Sequence, residues 1–539
     1  MQRRTWIKTA GTGLGCALIA RTSLFGATPD WDVVVYGATA GGVVAAVAAA
    51  RHGARVALLE PGTRLGGMVS GGLGHTDHGR IETIGGLPLE FFRRVGRHYD
   101  QPVAWDFEPH VAEQVLQQMA REAGVRVFLR HRLRESGGVA RQGTALSALI
   151  TENGALFSAR VYVDASYEGD LLEQAGVSYA WGRESSRTYG ESFAGVRGED
   201  HYGQHRFLVP VSAFDAAGVL LPNISPEPRG PIGEGDWKVQ AYNFRLCLTQ
   251  RRENQAPFPK PADYNPRNYE LLARLIAAQT RSLGRPPRMN QLMIVSPLPG
   301  GKTDINNQGA FSTDHIGGSW DYPTAGYRRR AAIWQEHHNY TAGFFWFLQH
   351  DPRVPPPLRD EVAGWGLAAD EFTESAHWPA QLYVREARRM VSDTVFTQRD
   401  AETDLLKPDA VALGSYNMDS HNSQRYVRED GSVQNEGDTQ LPVTPFQIPY
   451  RILVPRRQEC SNLLVPVCPS ASHVANGGLR LEPDYMKMGQ AAGIAATLAI
   501  AHHSAVQDVD IRALQQELRR QQVVLEWNNP QHLNLHPVA

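Results

Sequence analysis

After residue 30, the hydrophobic positions fall first into short continuous runs. Residues 33–36 and 55–59 are two such runs, the pattern of strands that are covered on both faces in a parallel sheet. Between them, residues 43–52 are mostly Val and Ala and are followed by Gly53, which is typical of a buried helix that ends at a glycine. The order of strand, helix and strand predicts a βαβ unit.

The next stretches continue this alternation and then depart from it. Residues 109–123 carry apolar side chains at helical spacing, which predicts an amphipathic helix, and residues 161–163 predict a further buried strand. From about residue 181 the chain becomes rich in proline, aromatic residues and polar loops. This change of composition predicts a second structural unit.

The C-terminal third returns to the earlier pattern. A strand is predicted over residues 463–467, after the helices that are predicted near residues 266–281 and 323–349 inside the second unit. A helix is predicted from Pro483, because proline favours the first helical position. Its many Gly and Ala residues allow it to pack closely against a neighbour.

A glycine-rich turn joins the first strand to the first helix. Gly37 permits a tight turn, and Gly42 lets the helix approach the strand, while the helix N-terminus offers free amides to a pyrophosphate. Glu60, at the end of the second strand, is spaced to accept hydrogen bonds from ribose hydroxyls. The middle glycine of the usual pattern is replaced by Thr39. The predicted cofactor-binding turn is Gly37, Ala38, Thr39, Ala40, Gly41 and Gly42.

The loop after Glu60 distinguishes two kinds of dinucleotide. It contains Leu65, Gly66 and Gly67, and a glycine pair lets backbone approach a ligand that continues beyond the pyrophosphate. In NAD enzymes the chain usually enters another helix at this point, whereas in flavoproteins of the glutathione-reductase type the loop follows the ribityl chain and the isoalloxazine ring. The sequence therefore predicts FAD.

Several segments together carry a family resemblance. The chain resembles the FAD-dependent oxidoreductase family, whose distant relatives include the flavin domain of heterodisulfide reductase. The cysteine clusters of those relatives are missing, so the resemblance implies no iron–sulfur cluster. The matching segments are residues 36–77, 163–170, 240–245, 309–314, 377–379, 383–389, 414–421 and 480–483.

The resemblance implies an α/β fold, with a Rossmann-like FAD/NAD(P)-binding domain built on a parallel sheet and interrupted by an inserted α+β substrate domain. We expect a twin-arginine signal peptide over residues 1–27 and a first segment of the FAD-binding domain over residues 31–180. A substrate or cap domain over residues 181–445 would follow. A second segment of the FAD-binding domain over residues 446–505 and a C-terminal helix and tail over residues 506–539 would complete the chain.

Candidate site residues follow from their positions in these segments. Asp164, at the end of a strand, and Arg480, before the C-terminal helix, are expected near the cofactor. His473 or His421 is the predicted proton acceptor, because an unperturbed histidine titrates near neutrality. Arg385 is the predicted substrate anchor through its fork of donors. Two alternatives are that Arg385, Arg388 and Arg389 form a charged helical face paired with Glu386, and that Arg480 pairs with Glu482.

Cysteine and histidine give little support for a metal site. The four cysteines contain no C-x-x-C pair, so a zinc or iron–sulfur site lacks its usual spacing, and no metal is predicted. His75, Asp77 and His78 are a weaker alternative set of ligands. Cys460 and Cys468 leave two interpretations open, a disulfide or two buried free thiols.

The charge balance and the N-terminus limit partners and location. Of 539 residues, 54 are Lys or Arg and 56 are Asp or Glu, which gives a formal charge of −2 and argues against a nucleic-acid-binding surface. Arg3 and Arg4 precede a short apolar stretch, as in a twin-arginine export signal that is too short to span a membrane. We therefore expect a periplasmic or secreted protein without a membrane span.

Three functions are compatible with these features. The first is a dehydrogenase or oxidase that transfers hydride from a small organic substrate to the flavin and then passes electrons to an acceptor that the sequence does not identify. The second is a redox-neutral enzyme in which a dinucleotide assists glycoside cleavage or epimerisation. The third is an exported binding protein with a relic cofactor fold.

Overall fold

A computed structural model describes residues 29–199 and 205–527 of the chain. The predicted signal peptide, including Arg3 and Arg4, lies outside the described residues, as does the end of the predicted C-terminal tail. Among the described residues, no helix combines the length and the apolar character needed to cross a membrane.

The helices and strands are numbered separately in chain order. The strands are β1 (Trp31–Tyr36), β2 (Val56–Glu60), β3 (Arg126–Leu129), β4 (Val139–Gln142), β5 (Ala145–Ile150), β6 (Leu156–Phe157), β7 (Ala159–Asp164), β8 (Tyr179–Ala180), β9 (Leu246–Thr249), β10 (Gln255–Ala256), β11 (Met293–Leu298), β12 (Lys302–Asn307), β13 (Gly366–Ala368), β14 (Arg389–Met390), β15 (Ala410–Gly414), β16 (Met418–Ser420), β17 (Gln424–Val427), β18 (Val433–Glu436), β19 (Thr439–Leu441), β20 (Phe446–Pro449) and β21 (Leu463–Leu464). The helices are α1 (Ala40–Arg51), α2 (Gly86–His98), α3 (Pro109–Glu122), α4 (Asp170–Gln174), α5 (Ser186–Tyr189), α6 (Glu270–Leu283), α7 (Tyr327–His350), α8 (Pro356–Ala363), α9 (Gln398–Glu402), α10 (His473–Asn476), α11 (Glu482–Ala501) and α12 (Ile511–Arg520).

The predicted parallel sheet is present. Its strand order is β21-β7-β1-β2-β3, and every neighbouring pair is parallel. The carboxyl ends of β1, β2 and β7 therefore lie along one edge, where ligands bind in open α/β sheets. The strand predicted over residues 463–467 is shorter than expected, because only Leu463 and Leu464 pair with β7.

Helices α1 and α11 pack against each other with little side-chain volume between their backbones. A Cβ on Gly489 would lie 2.2 Å from the carbonyl oxygen of Gly41, and one on Gly493 would lie 2.3 Å from that of Ala45. The small residues of α11 thus allow the predicted close packing, and the neighbouring element is α1. This contact joins residues distant in the chain at the core of the parallel sheet.

The segment predicted as the substrate domain contains a second sheet. Its strand order is β10-β13-β9-β12-β11, and its pairs are antiparallel. Helices α6 and α7 correspond to the helices predicted near residues 266–281 and 323–349, with shifted boundaries. The predicted limits of this domain, residues 181–445, stay a prediction.

Cys460 and Cys468 are both buried free thiols. Cys468 Sγ lies 3.3 Å from the carbonyl oxygen of Ser166, and Cys460 Sγ lies 3.7 Å from Asn462 Oδ1. The disulfide interpretation is therefore wrong, and the interpretation as free thiols is the one that the structure supports.

Candidate active site

The glycine turn is built so closely that side chains are excluded from it. Gly37 has φ +93°, and a Cβ there would lie 2.7 Å from the amide nitrogen of Ser166. A Cβ on Gly42 would lie 2.0 Å from the carbonyl oxygen of Gly37. Only glycine therefore fits at Gly37 and Gly42, because the backbone of the loop, of α1 and of the segment after β7 lies too close for a side chain.

Thr39 explains how the turn tolerates the loss of the middle glycine. It is the N-cap of α1, where its hydroxyl accepts a hydrogen bond from the amide of Gly42 at 3.1 Å. The same hydroxyl donates to the carbonyl oxygen of Ala165 at 2.8 Å. Thr39 thus lacks the conformational freedom of a glycine, but it stabilises the turn by capping α1 and by a hydrogen bond to the segment that follows β7.

Glu60 lies at the end of β2, beside the turn. Its carboxyl oxygens accept the amide of Ala38 at 2.9 Å and the amide of Gly62 at 2.7 Å. Burial raises the pKa of the Glu60 carboxyl to about 7. Each oxygen keeps a second lone pair, so the side chain can both hold the turn and accept a ribose hydroxyl.

The glycine pair predicted to follow the ligand lies next to the turn. Gly66 donates its amide to the carbonyl oxygen of Ala38 at 2.7 Å, and Leu65 is buried. A Cβ on Gly67 would lie 2.4 Å from the hydroxyl of Tyr167. The loop therefore rests on the turn on one side and on the tyrosine on the other.

Tyr167 connects this loop to the N-terminus of α11. Its hydroxyl accepts from the amide of Met68 at 2.9 Å and donates to Glu482 Oε1 at 2.5 Å. Glu482 is buried, and its Oε2 has no hydrogen-bond partner among the described residues. Burial raises the pKa of this carboxyl to about 8.

The N-terminus of α11 offers only some of its amides to a ligand. The amide of Tyr485 donates to the carbonyl oxygen of Leu481, and Pro483 has no amide hydrogen. Arg480 pairs with Asp419 at 2.5 Å and donates to the hydroxyl of Tyr383 at 3.2 Å. The alternative pairing of Arg480 with Glu482 is therefore wrong.

A cavity of about 410 Å³ follows the carboxyl edge of the parallel sheet. Glu60, Gly37, Thr39 and Gly67 are on the sheet side, and α7 covers the other side. Three side chains at or near the start of α7 that the sequence did not single out line it: Tyr322, Tyr327 and Arg330. A signal that could have found them is the concentration of aromatic residues in this segment.

This cavity suits a dinucleotide by its chemistry. Glycines bring the backbone to its wall, and the first amides of a helix have no acceptor within that helix, so α1 offers donors to a pyrophosphate. Glu60 offers acceptors to a ribose. The residues present therefore fit FAD along the path from Glu60 through the Gly37 turn to Gly67.

Asp164 has a different position from the one expected. It is fully buried, and its carboxyl accepts from the amide and the hydroxyl of Ser166, at 3.0 and 2.7 Å, and from the amide of Leu172 at 2.8 Å. Burial raises its pKa to about 6. Asp164 therefore shapes the loop after β7, and Ser166 is the residue of this loop that lines the cavity.

Arg385 and His421 meet at one carboxylate, Asp314. His421 Nδ1 lies 2.8 Å from Asp314 Oδ2, and Arg385 Nη2 lies 3.3 Å from Asp314 Oδ1. The Nε2 atom of His421 lies 3.6 Å from Asp419. Since both ring nitrogens face carboxylates, the ring is placed as a donor, which does not suit the predicted role of His421 as proton acceptor.

Arg385 is completely enclosed. Its remaining hydrogen bonds to amide side chains are 3.3–3.5 Å long, and its Nε has no partner among the described residues. Residues 383–389 form no helix, so the helical face of that alternative is wrong, although Arg389 does pair with Glu386. Arg385 does not line the cavity described above, so the structure does not bring it to the cofactor edge directly.

His473 belongs to a second polar network. Its Nδ1 lies 2.9 Å from Glu386 Oε2, and its Nε2 lies 3.3 Å from the hydroxyl of Ser420. Burial raises the pKa of Glu386, but the interactions of its carboxylate with His473, Arg389 and Gln240 outweigh burial and lower that pKa to about 2. An ionised Glu386 holds the Nδ1–H tautomer of His473 and leaves Nε2 as an acceptor.

Gln240 joins the two networks and was missed in the sequence. Its Nε2 donates to Glu386 at 3.0 Å, and its Oε1 accepts the amide of His421 at 3.2 Å. It is fully buried. Gln240 and Asp314 both lie in segments that carry the family resemblance, which was the signal that could have identified them.

His75, Asp77 and His78 do not form a metal site. His75 Nδ1 lies 2.5 Å from Asp106, and His78 Nδ1 lies 2.8 Å from the carbonyl oxygen of Gly79. These three residues do not converge on one point.

Comparison with known proteins identifies one family across most of the chain. A family model described as FAD dependent oxidoreductase matches residues 32–518. No curated protein matches the chain.

Solved structures give partial similarities. The amino acid oxidase NikD is 17% identical with a TM-score of 0.23, over 29% of this chain and 57% of that one. The anhydrotetracycline hydroxylase OxyS from Streptomyces rimosus is 12% identical with a TM-score of 0.35, over 91% and 66%. Thioredoxin reductase from Lactococcus lactis is 18% identical with a TM-score of 0.18, over 25% and 34%. The chain thus spans between a third and two thirds of each, and the family match carries the assignment.

Proposed function

This chain belongs to the FAD-dependent oxidoreductase family, and we propose that it oxidises a small organic substrate by hydride transfer to FAD. The observation that carries the proposal is the cavity along Glu60, the Gly37 turn and Gly67, whose donors and acceptors suit the dinucleotide. FAD, when bound, supplies the hydride acceptor, while the protein binds, orients and exchanges protons.

The dinucleotide would be held by three regions of the chain. The first amides of α1 would donate to the pyrophosphate, the carboxylate of Glu60 would accept ribose hydroxyls, and the Gly66–Gly67 backbone would lie along the ribityl chain. Helix α7 would cover the groove through Tyr327 and Arg330, and Tyr322, which precedes α7, would lie beside them. The start of α7 is fixed because Arg330 pairs with Asp170 at 2.7 Å.

His473 is the proposed proton acceptor. The pair that it forms with Glu386 fixes the Nδ1–H tautomer and orients the ring, so that Nε2 keeps the lone pair that a general base requires. Arg385 and His421 share Asp314. Because Arg385 is enclosed and does not line the cavity, we propose that it positions Asp314 and His421 rather than the substrate itself. The roles of the two histidines differ because only Nδ1 of His473 faces a carboxylate, whereas both ring nitrogens of His421 do.

The test begins with FAD-loaded protein mixed anaerobically with panels of alcohols, amines and hydroxy acids. Loss of the visible absorbance of the flavin identifies a substrate, and turnover with an artificial electron acceptor supports a dehydrogenase or oxidase. Substrate conversion without flavin reduction would contradict the proposal in favour of redox-neutral chemistry. Binding without conversion would favour a non-catalytic protein.

The role of His473 is tested with His473→Asn and its partner variant Glu386→Gln. We expect His473→Asn to lower kcat by about 10²–10⁴-fold, the usual contribution of a positioned general base, and to remove the acidic limb of the pH–rate profile. The control is His502→Ala, at an exposed residue that directly follows α11, and it should behave as wild type. An unchanged pH profile in His473→Asn would assign the proton to another group.

We also propose that the protein is exported through the twin-arginine route. The support is the pair Arg3 and Arg4 before an apolar stretch, and a route for folded cargo suits a protein that must bind FAD before export. Replacement of both residues by Lys should leave FAD-loaded precursor in the cytoplasm. Unchanged secretion of that variant would contradict the proposed route.

A further inference from the structure

A polar cluster lies at the junction of α2 and α3, away from the groups assigned to the cofactor and to proton transfer. His98 is the last residue of α2, Glu108 is the N-cap of α3, and His110 is the second residue of α3. One ligand atom from each lies within 4.8 Å of the other two, and this is the one such group among the described residues. The spacing of these three residues along the chain does not match a recognised metal-binding motif.

The side chain of His110 is oriented as metal-binding histidines are. Its Nδ1 lies 2.7 Å from Glu371 Oε1, and its backbone amide donates to Glu371 Oε2 at 3.1 Å. Glu371 is fully buried. A carboxylate that accepts one ring N–H fixes the tautomer and leaves the other nitrogen with its lone pair, which is the usual outer contact of a metal-binding histidine.

The charges around the cluster favour a cation. Lys302 Nζ lies 2.7 Å from Glu108, 2.8 Å from Asp370 and 2.7 Å from Glu371. One ammonium is thus shared by three carboxylates, so the group keeps a net negative charge. Glu108 contacts Lys302 through Oε1, while its Oε2 accepts from the hydroxyl of Tyr99 at 3.1 Å.

The geometry allows three ligands on one ion with a small movement. The rings of His98 and His110 have centroids 6.5 Å apart and are nearly perpendicular, at 84°. Zinc–nitrogen bonds of about 2.0–2.1 Å place tetrahedral ligand atoms about 3.3 Å apart. His98 is exposed and free to turn toward Glu108 and His110, which are held in place by their own contacts.

We propose that His98, Glu108 and His110 bind a divalent transition metal of the zinc class, with a fourth position left for water. Two imidazoles and one carboxylate suit Zn²⁺ better than Mg²⁺ or Ca²⁺, which prefer all-oxygen sites. The ion joins the end of α2 to the start of α3 and closes the loop between them.

The metal site has a structural route to the dinucleotide loop. Helix α3 supports that loop directly, because Glu113 pairs with Arg64 at 2.6 Å and a Cβ on Gly66 would lie 2.7 Å from Leu116 Cδ1. Fixing the start of α3 therefore restrains the wall of the cavity. We expect bound metal to raise both the thermal midpoint and the temperature at which FAD is released.

The experiment uses full-length, untagged, FAD-loaded protein that has been dialysed against a chelator. Zn²⁺ stoichiometry is measured by equilibrium dialysis and elemental analysis, and Co²⁺ is added as a spectroscopic probe of tetrahedral coordination. Wild type should bind one equivalent tightly. His98→Ala and His110→Ala should lose that equivalent and the associated rise in thermal midpoint.

Two further variants separate the site from general histidine binding and from misfolding. His502→Ala should bind metal as wild type does, because it lies outside the cluster. Glu371→Gln keeps the ligands but weakens the contact to Nδ1, and should lower affinity by about 10–100-fold. Equal binding by wild type and by folded His98→Ala and His110→Ala, or no tight equivalent in wild type, would overturn the proposal. The site and the oxidase proposal fail separately, because metal binding is measured without turnover.

Discussion

Gly42→Ala tests the geometry of the dinucleotide turn with a single added methyl group. That Cβ would lie 2.0 Å from the carbonyl oxygen of Gly37 and 3.0 Å from the Cβ of Ala165. Contacts shorter than 3.0 Å essentially do not occur for a Cβ, so the turn and α1 must separate by about 1 Å. The separation moves the amides that are assigned to the pyrophosphate.

The magnitude follows from the close packing around the methyl group. Overpacking of this kind costs about 1–3 kcal/mol, and Gly37 has little freedom to move because its own position already excludes a Cβ. Binding of FAD requires the original turn, so this strain counts against binding. A cost of about 1–3 kcal/mol weakens binding by about 5–150-fold.

The assay is a titration of apoprotein with FAD, followed by flavin fluorescence, together with the thermal midpoint of the apoprotein. Gly364→Ala is the matched control, because Gly364 ends α8 at φ −69° and a Cβ there would meet nothing closer than 3.3 Å. We expect Gly364→Ala to bind FAD as wild type does. Wild-type FAD affinity in a folded Gly42→Ala would refute the close packing of the turn.

Two further predictions concern neighbouring residues. Thr39→Val should destabilise the protein by about 1–2 kcal/mol, because it removes the helix cap and the bond to Ala165, whereas Thr39→Ser should retain most of the stability; chemical denaturation measures both. Glu482→Gln should leave stability nearly unchanged in acid and raise it increasingly toward pH 8. Burial raises the pKa of Glu482 to about 8, so the folded wild type keeps a proton that the unfolded chain has already released. The wild type therefore loses stability as the pH rises toward 8, whereas the Gln variant does not. Parallel stability–pH curves for wild type and Glu482→Gln would contradict this assignment.

The turn and its sheet were predictable because their chemistry is local. Gly37, Gly42 and Glu60 lie within one βαβ unit, so their spacing along the chain determines their spacing in the structure. Helix α11 was predictable from its small residues, although the identity of its partner, α1, was not. The spacing of small residues along α11 predicts close packing, but it does not identify the distant helix against which α11 packs.

The polar networks were less predictable for the opposite reason. His421 was a candidate, but Asp314 comes from a strand-to-helix loop more than a hundred residues away in the chain. The same kind of separation hid the bond between His473 and Glu386, which decides the tautomer. His98 and His110 likewise meet only because α2 and α3 turn back on each other. Residue type predicts what a group can do, but its partners decide what it does.

The identity of the cofactor in purified protein decides most directly whether this chain binds FAD at the Gly37 turn. We expect a yellow protein that releases one equivalent of FAD on denaturation, identified by chromatography against FAD, FMN and NAD standards. Apoprotein should recover this equivalent on incubation with FAD, and Gly42→Ala should recover it only at higher FAD concentration. Release of NAD or FMN, or failure of folded wild-type apoprotein to take up FAD, would show that the cavity at the Gly37 turn does not bind FAD.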